Sequence, residues 1–186
     1  MNAFARIDKD AFFRFVASRP QERYEYVRGR IVQQMTGGTR RHNRLAHRIA
    51  RLIEDQLDAA HWIVAPERGV DTGTCVRYPE LVIEPATEPE TSLFTARPAL
   101  IVEVLSPSTS VADLDIKPAE YMSLATLGAY LVASQEEPAL LIWRRGADGV
   151  FPAAAEELAG LDTSIDLRTS AGRIVLRLED IYRGIL

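Results

Sequence analysis

Ala99-Leu100-Ile101-Val102-Glu103-Val104-Leu105 is an apolar run interrupted by one carboxylate. Its length and its Ile and Val content predict a strand covered on both faces, as in the middle of a sheet flanked by helices. An unpaired charge there costs several kcal/mol, so Glu103 needs a cation, a metal ion or a hydrogen-bond network beside it. Upstream, Tyr78-Pro79-Glu80-Leu81-Val82-Ile83 sets a second carboxylate, Glu80, at the head of another short apolar run. Two carboxylates on neighbouring strands are hard oxygen donors suited to a divalent cation, and such a cation is suited to attack on a phosphodiester.

Towards the N-terminus, residues 9–17 carry Phe12, Phe13, Phe15 and Val16 and are stopped by Pro20, which predicts a short helix covering a core edge. Tyr24-Glu25-Tyr26-Val27 and Arg30-Ile31-Val32-Gln33-Gln34 alternate around Arg28-Gly29 and predict a hairpin. Thr36-Gly37-Gly38-Thr39 reads as a loop. It leads into a helix predicted over 41–59, where Leu45, Ile49, Leu52 and Ile53 recur at helical spacing. Strands are predicted near 62–66, 74–78, 81–84 and 100–105, then a helix to about residue 127, then strands over 130–133 and 140–144. Residues 85–98 read as a surface loop. The tail carries hairpin signals at Asp148-Gly149 and Ala171-Gly172 and ends in an amphipathic segment over 178–182. The pattern predicts a single α/β domain over 1–186, with a central mixed β-sheet flanked by helices. Residues 1–20 form its N-terminal helical segment and 145–186 a hairpin-rich C-terminal extension.

The chain has 186 residues, 47% of them hydrophobic, enough for one sizeable core. The net charge of −4 argues against binding nucleic acid by bulk charge, so any such affinity must come from a local basic face. Cys75 is the single cysteine, which rules out an internal disulfide and suits a reducing, cytoplasmic setting. No stretch approaches the length of a membrane span, and the first residues contain no uninterrupted apolar core of a signal peptide.

Glu80, then Glu103 in its buried strand, then Lys117 beyond Ser106-Pro107-Ser108-Thr109, form an acid, acid, lysine series that resembles the PD-(D/E)XK nuclease superfamily. More closely, the chain resembles the Uma-two family, a group assigned to the restriction endonucleases. The resemblance runs through Tyr24-Glu25-Tyr26-Val27-Arg28-Gly29-Arg30-Ile31-Val32, the helix around His42, Val76-Arg77-Tyr78-Pro79-Glu80 and Ile101-Val102-Glu103-Val104-Leu105-Ser106-Pro107-Ser108-Thr109. The last segment, followed by Asp113, Lys117 and Tyr121 at four-residue steps, is its most specific part. The resemblance implies a restriction-endonuclease-like fold and Mg²⁺- or Mn²⁺-dependent hydrolysis of DNA. Glu80 and Glu103 would hold the metal, and Lys117 would support the nucleophile or the developing charge. His42 and Glu25 would complete the pocket. The superfamily often places its lysine two residues after the second acid, where this chain has Leu105, so the lysine must arrive from another element.

At about 100° per residue, His42 projects with Leu45, Ala46, Ile49 and Ile53 and faces the sheet from the head of its helix. Arg41, Arg44, Arg48 and Arg51 share the adjoining flank, a basic stripe able to follow a phosphate backbone. Each residue has a structural alternative: Glu25 could pair with Arg30 across the hairpin, and the arginines could pair with Glu54, Asp55 and Asp58. Two departures bear on activity. Glutamate stands where the family has aspartate after Pro79, and Ala129-Tyr130-Leu131-Val132-Ala133-Ser134 lacks the family's closing aspartate. A catalytically degenerate module that binds nucleic acid or a protein is therefore the alternative to the enzyme. A homodimer would suit cleavage of two strands.

Overall fold

The computed structural model describes residues 6–34, 38–105 and 111–186, with side chains in the last segment described from Leu114 onward. Thr36, Gly37, the 106–109 loop and the Asp113 side chain lie outside the described residues. The elements are α1 (Lys9–Ala17), β1 (Tyr24–Val27), β2 (Arg30–Gln33), α2 (Arg40–Glu54), β3 (Trp62–Pro66), β4 (Gly69–Asp71), β5 (Cys75–Arg77), β6 (Leu81–Pro85), β7 (Phe94–Thr95), β8 (Leu100–Val104), α3 (Val111–Met122), β9 (Ala129–Ala133), β10 (Ala139–Arg144), β11 (Glu156–Ala159), β12 (Ser164–Thr169), β13 (Gly172–Arg177) and α4 (Leu178–Tyr182).

The decisive run becomes β8, an interior strand of a six-stranded mixed sheet in the order β11-β10-β9-β8-β6-β3. It runs parallel to β9, which it reaches through α3, and antiparallel to β6. Leu100, Val102 and Val104 face a core shared with Leu45, Ile49 and Ile53 of α2, while Ile101 packs on the other face with Tyr121, Leu127 and Tyr130. Burial on both faces explains why the run is apolar throughout apart from Glu103. A second sheet, β2-β1-β5-β4-β7, is covered by α1 through Phe12. The β12–β13 hairpin and α4 contribute Ile165, Leu167, Ile174, Leu176, Ile181 and Tyr182 to the same core as α2 and β8.

Several boundaries differ from the sequence reading; α3, predicted to reach about residue 127, ends at Met122. Helix α2 stops at Glu54, five residues early. Gln56 exchanges hydrogen bonds with both backbone groups of Val175 in β13, and Asp58 accepts from Ala60 N, so the chain leaves the helix. Residues 85–98 are not wholly loop, because Phe94–Thr95 pairs with β4 in parallel. Gly69 permits that approach, since a Cβ there would lie 2.3 Å from the Phe94 ring. Pro118 lies inside α3. It forfeits one backbone bond, and it is buried on the side of the helix shared by Leu114 and Tyr121. Lys117 is therefore held in regular helix. Among the described residues no helix is long and apolar enough to cross a membrane.

Candidate active site

The register of β6 and β8 pairs Leu81 with Val102, so one step further sets Glu80 across from Glu103. The Glu103 side chain is only 13% exposed, and that of Glu80 is 28% exposed. Burial is the main influence on Glu103 and pushes its carboxyl up; Lys117 opposes the shift, and the charges of Glu80 and Glu25 add to it. Lys117 and Tyr121, one helical turn apart on α3, both reach Glu103 Oε1, the ammonium at 3.2 Å and the phenol hydroxyl at 3.3 Å. The Tyr121 phenol is raised well above its usual range, first by burial and then by the Glu103 charge, which keeps it a donor.

His42 lies in the first turn of α2, whose N-cap Thr39 accepts from His42 N–H at 3.1 Å. Its Nε2 is 2.8 Å from Glu80 Oε1. That hydrogen bond raises the imidazole pKa against the opposing effect of burial, and the charges of Glu80, Glu103 and Glu67 act in the same direction. Gly38 packs against the ring: a Cβ there would meet His42 Cδ2 at 2.6 Å. Gly38→Ala is expected to displace the imidazole and to destabilise the fold by about 1–3 kcal/mol in urea unfolding. Unchanged stability together with an unshifted His42 resonance would contradict this close packing.

Behind the carboxylate pair lies a buried ion cluster. Arg77 donates to Glu25 Oε2 at 2.7 Å and to both oxygens of Glu120 at 2.7 and 3.1 Å. Gln34 donates to Glu25 Oε1 at 2.8 Å, and the Cys75 thiol donates to Glu120 Oε1 at 3.2 Å. Burial pushes the Glu120 carboxyl up, but the hydrogen bonds from Arg77 and Cys75 outweigh it and hold the group below its usual range. Burial, then Glu120, pushes the Cys75 thiol up, which suits an inert buried cysteine.

Among the described residues, no group of three or more His, Cys, Asp or Glu side chains is arranged to enclose a metal ion. Mg²⁺ is typically bound through one or two carboxylates and keeps waters or phosphate oxygens in its remaining positions. Two carboxylates such as Glu80 and Glu103 are as many protein ligands as a hydrated Mg²⁺ or Mn²⁺ needs and fewer than a closed cage of the structural zinc type requires.

The Uma2 family model, described as "Putative restriction endonuclease", matches residues 10–169. The chain belongs to the Uma2 family. A curated relative, "Uncharacterized protein slr1290" of Synechocystis sp. (strain ATCC 27184 / PCC 6803 / Kazusa), is 26% identical over 173 residues, which cover 90% of this chain and 87% of that protein. The crystal structure of "a putative nuclease belonging to DUF820" from Anabaena variabilis ATCC 29413 superposes with a TM-score of 0.69 at 16% identity, covering 88% of this chain and 91% of that one. That likeness establishes the restriction-endonuclease-like fold of this Uma2 chain, and the family description sets it among the nucleases.

Of the residues singled out in the sequence, Glu80, Glu103, Lys117 and His42 come together in the Uma2 chain. Glu25 lies beside them, but it is held by Arg77 and Gln34 and not by Arg30, whose backbone pairs with Val27. The arginine stripe is partly engaged in the fold. Arg44 and Arg48 donate to the carbonyls of Gly184 and Asp180 at 2.7 and 2.9 Å, tying down the C-terminal segment, and Arg41 donates to Gln135 O at 3.2 Å. Asp58 pairs with His61 and not with the stripe. Sequence reasoning missed Arg77, Glu120 and Gln135. Arg77 carried the same signal as Glu103, a charge inside the short apolar strand Cys75-Val76-Arg77.

Proposed function

We propose that this Uma2 chain is a divalent-metal-dependent endonuclease that hydrolyses phosphodiester bonds in DNA, with Glu80 and Glu103 as the ligands of Mg²⁺ or Mn²⁺. The observation that carries this reading is the pair of carboxylates at neighbouring register positions, Glu80 just ahead of β6 and Glu103 on β8, with the Lys117 ammonium 3.2 Å from Glu103. When bound, the cation would supply Lewis acidity towards a phosphoryl oxygen and lower the pKa of a water. Lys117 is placed to orient the attacking water and to stabilise charge gathering on the phosphoryl oxygens. His42 orients Glu80 through its Nε2 contact, and Tyr121 orients Glu103. Glu25 supports the site from behind, by fixing Arg77. Nicking of supercoiled plasmid that requires Mg²⁺ or Mn²⁺, stops with chelator and falls at least about 100-fold in Lys117→Met is the expected outcome; full activity in that variant would remove Lys117 from the mechanism.

Arg41, Arg44, Arg48 and Arg51 lie on the flank of α2 next to His42, and this reading assigns them to the DNA backbone. Replacing Arg44 and Arg48 by Ala is expected to weaken DNA binding and to flatten its salt dependence by roughly two units of slope, one per phosphate contact. An unchanged slope would confine both residues to holding the C-terminal segment. A second reading has one observation in its favour: His42 and Lys117 already pair with Glu80 and Glu103, so the site is electrostatically compensated by its own side chains. On that reading the chain is a degenerate module of the same fold, and neither Mg²⁺ nor Mn²⁺ binds. A homodimer in light scattering would suit the two-strand cleavage of the first reading.

A further inference from the structure

Gln135 follows β9 and is 3% exposed, yet its side chain joins three separate elements. Thr39 Oγ1, at the head of α2, lies 2.8 Å from its Oε1. Its Nε2 donates to the carbonyl of Leu105, just past β8, and lies 3.4 Å from His42 Nδ1. These partners fix which way the amide is turned. The Leu105 carbonyl has no hydrogen to give, so the atom facing it must be the NH₂. The Thr39 oxygen already accepts from His42 N–H, which leaves its hydroxyl hydrogen for Gln135 Oε1. One hydrogen of the NH₂ goes to Leu105 and the other is left for His42 Nδ1. A ring nitrogen facing an N–H must carry the lone pair, so the neutral ring holds its proton on Nε2, 2.8 Å from Glu80 Oε1.

We propose that Gln135 is a positioning residue: its amide holds the His42 imidazole as the Nε2–H tautomer, turned towards Glu80, and ties that ring to the end of the strand bearing Glu103. The three contacts form one chain from Thr39 and His42 on α2, through Gln135, to Leu105, two residues beyond Glu103. The two halves of the candidate centre, Glu80 with His42 and Glu103 with Lys117, are thereby held at a fixed offset. The backbone adds to this, since Gln135 O accepts from Arg41 at 3.2 Å. The consequence for metal binding rests on the reading of Glu80 and Glu103 as ligands, whereas the tautomer does not.

The test is long-range ¹H–¹⁵N spectroscopy of histidine-labelled protein at alkaline pH, with His42 assigned by His42→Asn. The wild type is expected to show Nε2 protonated and Nδ1 bare. In Gln135→Leu the donor to Nδ1 is gone while Glu80 still accepts from Nε2–H, so the same tautomer is expected with its bare Nδ1 resonance shifted downfield for want of that hydrogen bond. In Gln135→Glu a carboxylate faces Nδ1 and is expected to draw the proton there. Calorimetric titration with Mn²⁺ supplies the second readout. Gln135→Leu is expected to bind about 10-fold more weakly than wild type. Adding it to His42→Ala is expected to cost nothing further, which a merely structural role would not give. A wild-type ring protonated on Nδ1 overturns the proposal, and needs no variant to fold. So does an Nδ1 resonance unchanged in Gln135→Leu, or a full additive loss in the double variant. The predicted tautomers in a protein that neither binds Mn²⁺ nor nicks DNA would sustain the role of Gln135 and end the nuclease reading.

Discussion

Glu103→Gln is expected to abolish metal-dependent nicking of supercoiled plasmid, a loss of at least about 100-fold and comparable with removal of a principal charge-stabilising group elsewhere. The substitution keeps the size and planarity of the side chain and removes only the charge and one acceptor. Tyr121 can still donate to the remaining carbonyl oxygen, and α3 keeps its contact with Tyr130 through the Tyr121 ring. The fold should therefore survive. Because the Glu103 carboxyl is raised, principally by burial, its ionised form opposes folding, and that penalty grows as pH rises from the ordinary value of 4.5 through the raised one. Glutamine removes the penalty, so Glu103→Gln is expected to be at least as stable as wild type at pH 7 and to show less change in stability with pH. A variant that is inactive yet stable would place the defect in chemistry, and a variant that nicks at the wild-type rate would exclude Glu103 from the centre.

Arg77→Met is the second large expected effect, and it acts on the fold. It leaves Glu25 and Glu120 buried without their shared guanidinium, and breaking such a pair costs about 3–5 kcal/mol. For a chain of this length that is a fall in melting temperature of roughly 10 °C. The dependence on pH carries a definite sign. In the wild type the Glu120 carboxyl is held below its unfolded value, so its contribution is complete above about the ordinary 4.5 and is lost as pH falls through the lowered value. In the variant only the Cys75 thiol still donates to Glu120 against the upward push of burial, and protonation relieves the buried charge. The deficit of Arg77→Met is thus expected to be greatest at neutral pH and to shrink on acidification. A deficit independent of pH would mean that Arg77 contributes by packing alone. Activity should fall as well, because Glu120 lies between Lys117 and Tyr121 on α3 and anchors the helix that presents both to Glu103.

Where the sequence was legible, one physical constraint acted on one segment. A strand buried on both faces must be apolar, so a lone Glu103 stands out; the helical repeat of Leu45, Ile49 and Ile53 must face the sheet, so His42 is carried to the same side. The hairpins at Arg28-Gly29 and Ala171-Gly172 were legible for the same local reason, and both glycines adopt positive φ, 91° and 109°. What escaped was settled between distant segments. The early end of α2 depends on Gln56 meeting Val175, and the strand Phe94–Thr95 depends on the space above Gly69. Glu25 was legible as a residue that matters but not as the partner of Arg77, 52 positions away. Gln135 gave no signal, since Ser134-Gln135-Glu136-Glu137-Pro138 reads as an ordinary polar turn. An interior proline is disfavoured by backbone chemistry alone, and Pro118 is accommodated inside α3 by burial among Leu114 and Tyr121.

The central claim is that Glu80 and Glu103 together hold one divalent cation. Calorimetric titration of Mn²⁺ into the wild type, Glu80→Gln and Glu103→Gln tests it most directly. The account predicts one site in the wild type and its loss in each variant while both remain folded. Equal binding in all three would contradict it by placing the metal elsewhere, and no binding in a folded wild type would make this Uma2 chain a module that keeps the fold of a nuclease without its metal centre.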